Sequence, residues 1–429
     1  MKQAVVLIHG VGEQVPMDTL RGFVNTVWTT DTTLRRPDDT DQVWSKPDDI
    51  SRNFELRRLT TVADLKGIRT DFFEFYWAHL MEGTTLSQVW AWIKVLLLRN
   101  SSRVPEQLRG IWWFVWIFGA VLAAGWANHK WGVEPAWLKY VWIAGHVLWL
   151  GVSWFLIHYA GDAAVYLHVA PANIEKRRLI REAGVQLLQS LHEAKNPDGT
   201  RKYSRIIVAG HSLGTVIGYD VLSFLWARYH DGHGNGGPKP VKALTELENL
   251  ARQARAGNFN VYEYQAAQAA YLSEIQAQGN QWIVTDFVTM GSPLAHAMML
   301  MAPNAEEFDR KKLEREFPTC PPVLEVIQND PLERFSFLQG KTWVPHHGAV
   351  FAPTRWTNLY FPCSLTLFGD FIGGPVAPAF GPGVRDRVVR TCIRCGVFSH
   401  TLYWSFPPYW YGGKTPTHIQ ALREAVRIL

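Results

Sequence analysis

The feature that most limits how this chain can fold is a pair of apolar runs near its middle. GIWWFVWIFGAVLAAGWANH, residues 110–129, holds no formally charged side chain, and YVWIAGHVLWLGVSWFLIHYAG, residues 140–161, follows it closely. A transmembrane helix needs about 20 mostly apolar residues, with a rise of about 1.5 Å each, to cross the hydrocarbon core. Both runs meet this requirement. We therefore predict a transmembrane hairpin with spans at about 110–127 and 140–160.

The alternative interpretation is a pair of buried helices in a large soluble core. Soluble helices seldom lack charge for so long, and eleven tryptophans crowd between Trp90 and Trp154. Indole side chains suit a membrane–water interface, because one end is apolar and the other end hydrogen-bonds. From Leu86, LSQVWAWIKVLLLR places its apolar residues on one helical face, which fits a helix lying on the membrane or a core helix equally well. We assign residues 86–160 to one membrane insertion.

Charges around the runs predict the orientation of the hairpin. Basic residues flank it on both outer sides, namely Lys94, Arg99, Arg103 and Arg109 before it and Lys176, Arg177, Arg178 and Arg181 after it. The linker KWGVEPAWLK carries only two lysines, so the positive-inside rule places both flanks, the soluble part and both termini in the cytoplasm. Anionic lipid explains these cations better than nucleic acid, because no combined aromatic and basic RNA-binding signature is present. The predicted partner is a lipid bilayer, and Gly- and Trp-rich helices leave a homo-oligomer open.

The strongest chemical signal is GHSLG at residues 210–214. A strand-like run, RIIVA, precedes it, and the helical sequence TVIGYDVLSFLW follows it. In a Gly-x-Ser-x-Gly elbow the serine sits on a strained strand-to-helix turn, and glycines such as Gly210 and Gly214 allow the close backbone approach that this turn demands. We predict that Ser212 is a nucleophile. The alternative is a plain turn serine.

A serine nucleophile needs hydrogen-bond donors for the oxyanion that develops on its substrate. We expect one donor to be the backbone N–H of Leu213, directly after the nucleophile. The second should come from the loop after the early strand QAVVLIHG, where Gly10 permits a sharp turn and Val11 supplies the N–H group. We expect His9 to hold this loop rather than to act as a base.

The general base should be a histidine late in the chain, because hydrolases of this order place their acid and then their histidine after the serine. His400 lies in CGVFSHTLYW, directly after the strand-like run RVVRTCIRCGVF at 387–398, and is the favoured base. The other histidines that follow the serine are His230, His233, His296, His346, His347 and His418.

The acid that orients this base should come between the serine and the histidine. Asp370, in FGDFIGGPVAP, follows the strand-like RWTNLYF at 355–361 and leaves room for one strand before His400. Asp386 and Asp330 are its rivals. Asp220 and Asp286 lie inside a predicted helix and a predicted strand, and we expect structural roles for them.

The remaining pattern predicts one α/β domain interrupted by insertions. Its core consists of residues 1–85, 161–230 and 281–429, with strands expected at 4–8 and 71–78 around a polar stretch that ends near residue 60 and a helix expected at 174–194. Residues 231–280 combine the linker DGHGNGGPKP with Ala- and Gln-rich helical sequence, which we interpret as a cap or lid.

Cysteine usage predicts neither a disulfide scaffold nor a metal centre. The chain has four cysteines, and the Cys392–Cys395 CxxC pair lacks a second pair to complete a metal site. We favour a buried strand pair there and expect no cofactor. No signal peptide is expected, because a strand begins almost at the first residue.

Several of these segments together resemble the lipase-type α/β-hydrolases. HGVGEQ, GHSLGTVIGYD, VTMGSPLA, RWTNLYF…GDFIGGP and FSHTLYW are most similar to bacterial relatives of the DDHD-domain phospholipases and of the GPI inositol-deacylase group, and GDAAVYL resembles a DDHD segment. The likeness covers most of 1–14, 71–78, 161–225 and 281–404, but neither the hairpin nor the cap. It implies a mostly parallel sheet flanked by helices, in a bacterial inner-membrane protein. Those relatives often place the acid directly after the stretch where this chain has Cys363-Ser364, whereas Asp370 comes later.

The expected function is a membrane-anchored serine esterase or lipase, with Ser212, His400 and Asp370 as the triad and a lipid or acyl ester as the substrate. A thioesterase or deacylase of lipidated protein would use the same machinery. A non-catalytic membrane scaffold with a retained hydrolase fold is the alternative from another class.

Overall fold

The structure, a computed structural model, contains twelve strands among the residues that it describes. The described residues are 2–11, 15–36, 39–51, 55–81, 94, 97–98, 100–101, 104, 106–131, 140, 142–147, 161–168, 170–232, 242–327, 332–340, 342–363, 369–390, 399–407 and 413–428. In chain order the strands are β1 (Lys2–Ile8), β2 (Val43–Pro47), β3 (Arg57–Ala63), β4 (Arg69–Phe75), β5 (Arg205–His211), β6 (Val284–Met290), β7 (Glu325–Val326), β8 (Glu333–Arg334), β9 (Ser336–Gln339), β10 (Thr342–Pro345), β11 (Arg355–Tyr360) and β12 (Arg385–Val388).

Eight of these strands form one sheet in the order β12-β11-β6-β5-β1-β4-β3-β2. Neighbouring strands from β12 across to β4 are parallel, whereas β3 is antiparallel to both β4 and β2. β9 pairs with β10 and β7 with β8 in two small antiparallel ribbons. The prediction of a mostly parallel sheet is confirmed.

The helices are also numbered in chain order. They are α1 (Asp18–Val24), α2 (Glu106–Trp131), α3 (Gly161–Leu167), α4 (Ile174–Glu193), α5 (Leu213–Trp226), α6 (Lys242–Arg255), α7 (Val261–Ala277), α8 (Ala297–Leu300), α9 (Ala305–Leu313), α10 (Ala377–Phe380) and α11 (Thr417–Val426). A π-helical turn at Asn25–Thr29 continues α1. Short 3-10 turns lie at Thr32–Leu34, Ala78–Met81, Pro171–Asn173, Pro293–His296 and Ser399–Thr401.

Alternating side chains of the central strands enter two hydrophobic layers. Val6 and Val208 pack on one face of the sheet with residues of α4, α5, α6 and α7. Val5 and Ile207 pack on the other face with residues of α1 and α11. Central parallel strands are buried on both faces, which explains why β1 and β5 are continuous apolar runs. The helical layers on both faces agree with the predicted flanking helices.

The segment predicted to be a cap packs differently. Leu247 in α6 and Tyr264 in α7 belong to the main core, and the amide of Gln268 donates to the carbonyls of Phe351 and Thr354 at 2.7 and 2.9 Å. These carbonyls lie just before β11, at the end of the sheet away from the elbow. The two helices therefore form a layer that packs against the sheet, rather than a lid over Ser212. The glutamines of the Ala- and Gln-rich sequence therefore include side chains that satisfy buried backbone carbonyls.

Two predicted boundaries also changed. The polar stretch before residue 60 contains β2, and β3 begins at its end. The last strand among the described residues begins at Arg385 and ends at Val388, whereas the prediction spanned 387–398. Residues 391–398, with both cysteines of the CxxC pair, lie outside the described residues.

The first apolar run is one helix, α2, whose window Leu108–Ala127 has a mean hydropathy of 1.6 and is not buried against the rest of the described chain. Among the described residues it is the one helix long and apolar enough to cross a membrane. Large apolar side chains on its surface are exposed, including Phe114 at 59% and Ile117 at 61%.

The second apolar run is described at 140 and 142–147, where it is helical. This short piece packs on α2 through two glycines. A Cβ atom at Gly125 would lie 3.0 Å from Cδ1 of Trp142, and one at Gly145 would lie 2.7 Å from Cδ2 of Leu122. The rest of the predicted second span, and the predicted helix from Leu86 through Ile93, lie outside the described residues.

Candidate active site

The predicted site residues meet at one edge of the sheet. Val11 follows β1, Ser212 follows β5, Asp370 follows β11 and His400 follows β12. These strands are mutually parallel, so their carboxyl ends share one edge. In open α/β sheets ligands bind in the crevice at this edge.

Ser212 sits on a strained turn between β5 and α5. Its backbone has φ 51° and ψ −129°, a combination that L residues rarely adopt, and it caps the N-terminus of α5. A Cβ atom at Gly210 would lie 2.8 Å from the carbonyl oxygen of Gly214, and one at Gly214 would collide with the carbonyls at the end of β1. Both elbow glycines are therefore required by close backbone approach.

The hydroxyl groups of Thr215 and Ser292 form a hydrogen-bonded pair that stabilises this turn. The Thr215 hydroxyl donates to the carbonyl of Ser212 at 2.7 Å, so the hydroxyl of Ser292, also 2.7 Å away, must donate to Thr215. Ser292 belongs to the GSPL segment after β6 and accepts from the N–H of Leu294 at 3.2 Å. The GSPL segment therefore fixes the geometry of the elbow.

His400 and Asp370 form a buried, two-point contact. Nδ1 of His400 lies 3.0 Å from Oδ1 and 2.9 Å from Oδ2 of Asp370. Because a carboxylate accepts, Nδ1 carries the proton and Nε2 carries the lone pair of the neutral imidazole. The relative exposures of the two residues are 5% for His400 and 0% for Asp370.

The Asp370 carboxylate is held by four donor groups. Besides His400, the backbone N–H groups of Ile372 and Gly373 donate to Oδ1 at 3.0 and 2.9 Å, and the Tyr403 hydroxyl donates to Oδ2 at 2.7 Å. Burial alone would raise the pKa of Asp370, but the charge of His400 and these hydrogen bonds hold it below its ordinary value. The acid therefore stays ionised and fixes the orientation of the imidazole.

His211, the residue before the elbow serine, connects the two halves of the site. Its Nε2–H donates to the backbone carbonyl of His400 at 2.8 Å, and the two rings lie 4.8 Å apart between centroids. The backbone N–H of Ser212 donates to the carbonyl of Met290, at the end of β6, at 3.0 Å. Gly291 follows Met290, and a Cβ atom at Gly291 would lie 3.0 Å from Cε1 of His400. His211 at the end of β5 and Gly291 after β6 therefore both lie against His400. Burial lowers the pKa of His211 to about 3, which keeps this donor neutral.

The loop after β1 lies against the elbow. A Cβ atom at Gly10 would lie 2.8 Å from Cβ of Ser212, so only glycine allows this approach, and Val11 follows directly. Leu213 is the first residue of α5, and the first N–H groups of a helix have no intrahelical acceptor. The two predicted oxyanion donors therefore belong to segments that meet at Ser212.

His9 is locked in place behind this loop, as its predicted structural role requires. Its Nδ1–H donates to the carbonyl of Gly10 at 2.8 Å, Nε2 accepts from the N–H of Trp77 at 3.3 Å, and the two rings stack at 5.0 Å. Burial lowers its pKa to about 4.

The rival acids occupy other positions. Asp386 accepts from Asn358 at 2.7 Å and from the N–H groups of Val376 and Ala377 at 2.9 Å, which fastens the loop after β11. Asp220 binds Arg181, and Asp286 binds Arg355. Asp330 lies outside the described residues.

The rival histidines that the structure describes bind backbone groups rather than a carboxylate at the elbow, although His296 lies beside the Asp370 loop. His230 contacts the carbonyl of Pro345, His296 that of Phe371 and His418 that of Ser405, while Nδ1 of His346 accepts from Gly348. His347 lies beside His346, and His233 is outside the described residues. His400 is the histidine that the structure joins to a carboxylate at the elbow.

Sequence reasoning missed Tyr403, His211 and the Thr215–Ser292 pair as parts of this site. Tyr403 lies three residues after His400, and Thr215 three after Ser212, so their nearness in sequence was the available signal. Burial and the Asp370 charge raise the pKa of Tyr403 well above its ordinary value, so its hydroxyl remains a donor.

The described residues contain no group of three His, Cys, Asp or Glu side chains placed to hold a metal ion. Comparison of the chain with protein-family models, with curated proteins and with solved structures finds no match.

Proposed function

We propose that the protein is a membrane-anchored serine hydrolase with an α/β-hydrolase fold, which cleaves carboxylic esters, most suitably those of lipids, through an acyl-enzyme. The observation that carries the proposal is the strained Ser212 elbow beside the buried His400–Asp370 pair. The sheet order supports the fold assignment, because the serine follows the central parallel strand β5, and the acid and the histidine follow the later parallel strands β11 and β12.

In the first half-reaction Ser212 Oγ attacks the ester carbonyl carbon, and Nε2 of His400 takes the hydroxyl proton. The negative charge that develops on the carbonyl oxygen is stabilised by the N–H groups of Leu213 and Val11. His400 then gives its proton to the departing alkoxide, and the alcohol leaves while the acyl group stays on Ser212.

In the second half-reaction water attacks the acyl carbon as His400 removes its proton. The tetrahedral intermediate collapses, the proton returns to Ser212, and the carboxylic acid is released. Asp370 keeps Nδ1 protonated throughout and stabilises the imidazolium that forms in each step.

The apolar surface of α2 supports a lipid substrate. Large side chains that are exposed to solvent along a whole helix are costly in water, whereas a bilayer covers them. The hairpin is inserted between β4 and α3 within one catalytic domain, so it holds the domain against the membrane where lipid esters are concentrated. Two spans and cytoplasmic termini remain part of this proposal.

A thioester of a lipidated protein would suit the same residues, because the acyl transfer steps are identical. A non-catalytic scaffold is disfavoured by the strained backbone at Ser212, since strain of this kind costs about 1–3 kcal/mol and persists mainly where function requires it.

The test is hydrolysis of short-chain esters, phospholipids, acylglycerols and an acyl thioester by the purified protein in detergent. We expect turnover of esters by the wild type and none by Ser212→Ala. Equal turnover by the two proteins would contradict the assignment, and preference for the thioester would favour the deacylase alternative.

A further inference from the structure

A cavity of about 470 Å³ lies on the outer side of α5, between α3, α4 and the segment after α9. Basic side chains of α4, of α9 and of the segment after α9 line it, namely Arg177, Arg181, Lys311 and Arg315. Cavities of this size accommodate small ligands or headgroups. None of these residues belongs to the candidate active site.

One guanidinium in the cavity, that of Arg177, forms no salt bridge with the described residues, because the nearby Asp220 carboxylate is bound by Arg181. Arg181 and Arg177 both lie over the ring of Tyr166, at 5.6 and 5.7 Å from its centroid. Arg181 binds Asp220 at 2.6 Å, and the Tyr166 hydroxyl donates to the same carboxylate at 2.8 Å. Nη1 of Arg177 is buried with no hydrogen-bond partner in the described chain.

The other cations are either fixed or weakly held. Arg315 is paired with Glu325 through Nε at 2.6 Å, which orients its guanidinium at the cavity wall. Lys311 lies 3.3 Å from Glu316, whose side chain is 51% exposed, and such surface pairs contribute little. Arg177 and Lys311 are therefore available to an anion. Burial and the nearby Arg181 charge lower the pKa of Arg177. A bound anion would raise this pKa again, because it favours the charged guanidinium.

The short distance in sequence between the cavity-lining residues and the predicted second span indicates which anion binds. Tyr166 lies six residues after the end of the predicted second span, which corresponds to about 9 Å of helix. The basic side chains therefore lie within headgroup depth of a bilayer that holds the hairpin. Arginine binds phosphate oxygens through paired N–H donors, which suits a phosphodiester at this depth.

We infer that this cavity binds the phosphate of an anionic lipid headgroup and so fixes how the catalytic domain sits on the membrane. The inference rests on the membrane attachment in the proposed function, but not on catalysis. A free phosphate ester would present the same oxygens, so the test must separate the two sources.

The chain supplies a matched control. Arg178, next to Arg177 in α4, is 54% exposed and is paired with Glu175 and Glu182 on the outer surface. Arg177→Gln and Arg178→Gln remove the same charge from the same turn of helix, but only the first changes the cavity. Arg177→Lys keeps the charge and loses the planar pair of donors.

The experiment measures binding of fluorescent phosphatidylglycerol to detergent-purified protein that carries Ser212→Ala, so hydrolysis cannot affect the result. We expect roughly tenfold weaker binding for Arg177→Gln, a smaller loss for Arg177→Lys and less than about twofold for Arg178→Gln. Unlabelled phosphatidylglycerol should compete, and phosphatidylcholine or inorganic phosphate should not.

Equal losses for Arg177→Gln and Arg178→Gln would overturn the site, because they would mean unspecific attraction. Complete displacement by inorganic phosphate would overturn the lipid assignment. Normal lipid binding with no ester turnover by the unsubstituted protein would contradict the proposed function alone, while turnover without selective binding would contradict this inference alone.

Discussion

The hydroxyl of Tyr403 donates to Oδ2 of Asp370 at 2.7 Å, on the same carboxylate that holds Nδ1 of His400. Hydrogen bonds to charged groups contribute about 1.5–3 kcal/mol, and this one keeps the acid from rotating away from the imidazole. We expect Tyr403→Phe to lower kcat for ester hydrolysis about tenfold, with KM unchanged. Steady-state kinetics on a soluble short-chain ester would measure both constants.

Tyr219→Phe is the control for this substitution. Its hydroxyl is also buried and donates to the carbonyl of Pro318 at 2.9 Å, away from Asp370. It should lower the melting temperature without lowering kcat. Similar kcat values for the two variants would mean that Tyr403 contributes only to stability.

Buried Asp370 and half-buried Asp386, both near β11, should respond differently to loss of their charge. Asp370→Asn removes the negative charge that keeps Nδ1 of His400 protonated and adds an amide donor that favours the other tautomer, and the equivalent change in a serine protease triad costs about 10⁴ in kcat. Asp386→Asn leaves His400 untouched and weakens the loop at Val376 and Ala377. We expect a fall in kcat of about three orders of magnitude or more for the first. For the second we expect a lower melting temperature with kcat largely kept; the reverse pattern would make Asp386 the acid.

Glu74 should make the stability of the fold depend on pH. Burial raises its pKa to about 7, although the N–H of Met17 donates to Oε2 at 2.6 Å. Because the folded pKa lies above the unfolded value, the folded state binds an extra proton between about pH 4.5 and 7. The contribution of this proton to the free energy of unfolding is complete below the unfolded pKa of Glu74. It is lost as the pH rises through the folded pKa, where the buried carboxylate becomes charged.

Glu74→Gln should remove this dependence and stabilise the protein by up to about 3 kcal/mol at pH 8, with little effect at pH 4. Denaturant unfolding at both pH values measures the difference. Glu263→Gln, on the exposed surface of α7, is the control and should change neither curve. A parallel shift of the Glu74→Gln curve at both pH values would argue against titration of this group.

Membrane attachment should depend on the apolar surface of α2. A charge at the centre of a spanning helix costs about 2.5–3.5 kcal/mol on insertion, so Ile117→Arg should reduce the fraction of protein that carbonate-washed membranes retain. Leu65→Arg, at the similarly exposed turn between β3 and β4, is the control and should have no effect. Equal retention of both variants would mean that α2 does not enter the bilayer.

Much of the sheet could be predicted because central parallel strands are apolar on both faces. The runs QAVVLI, RIIVA and QWIVTDFV mark β1, β5 and β6 directly. β2 and β3 could not be found in this way. β2 lies at the sheet edge, and the strand sequences VWSKP and RRLTTVA alternate polar and apolar residues weakly.

The site divides along similar lines. Ser212 is marked by glycines whose spacing the elbow itself requires, and His400 and Asp370 follow from the order of strands. The supporting hydrogen bonds of Tyr403 and His211 depend on tertiary contacts, which a single sequence does not display. The cap prediction for residues 231–280 depends on their polar composition, and composition cannot distinguish a solvated surface from glutamines such as Gln265 and Gln268, which satisfy buried carbonyls.

The most direct test of the central claim is labelling with a fluorophosphonate probe, followed by mass spectrometry of the modified peptide. The account predicts one adduct, on Ser212, in the wild type and in Ser204→Ala, whose exposed hydroxyl lies at the opposite end of β5. Ser212→Ala should take up no label. A folded wild-type protein that resists the probe, or an adduct of equal yield in Ser212→Ala, would contradict the assignment of Ser212 as the nucleophile.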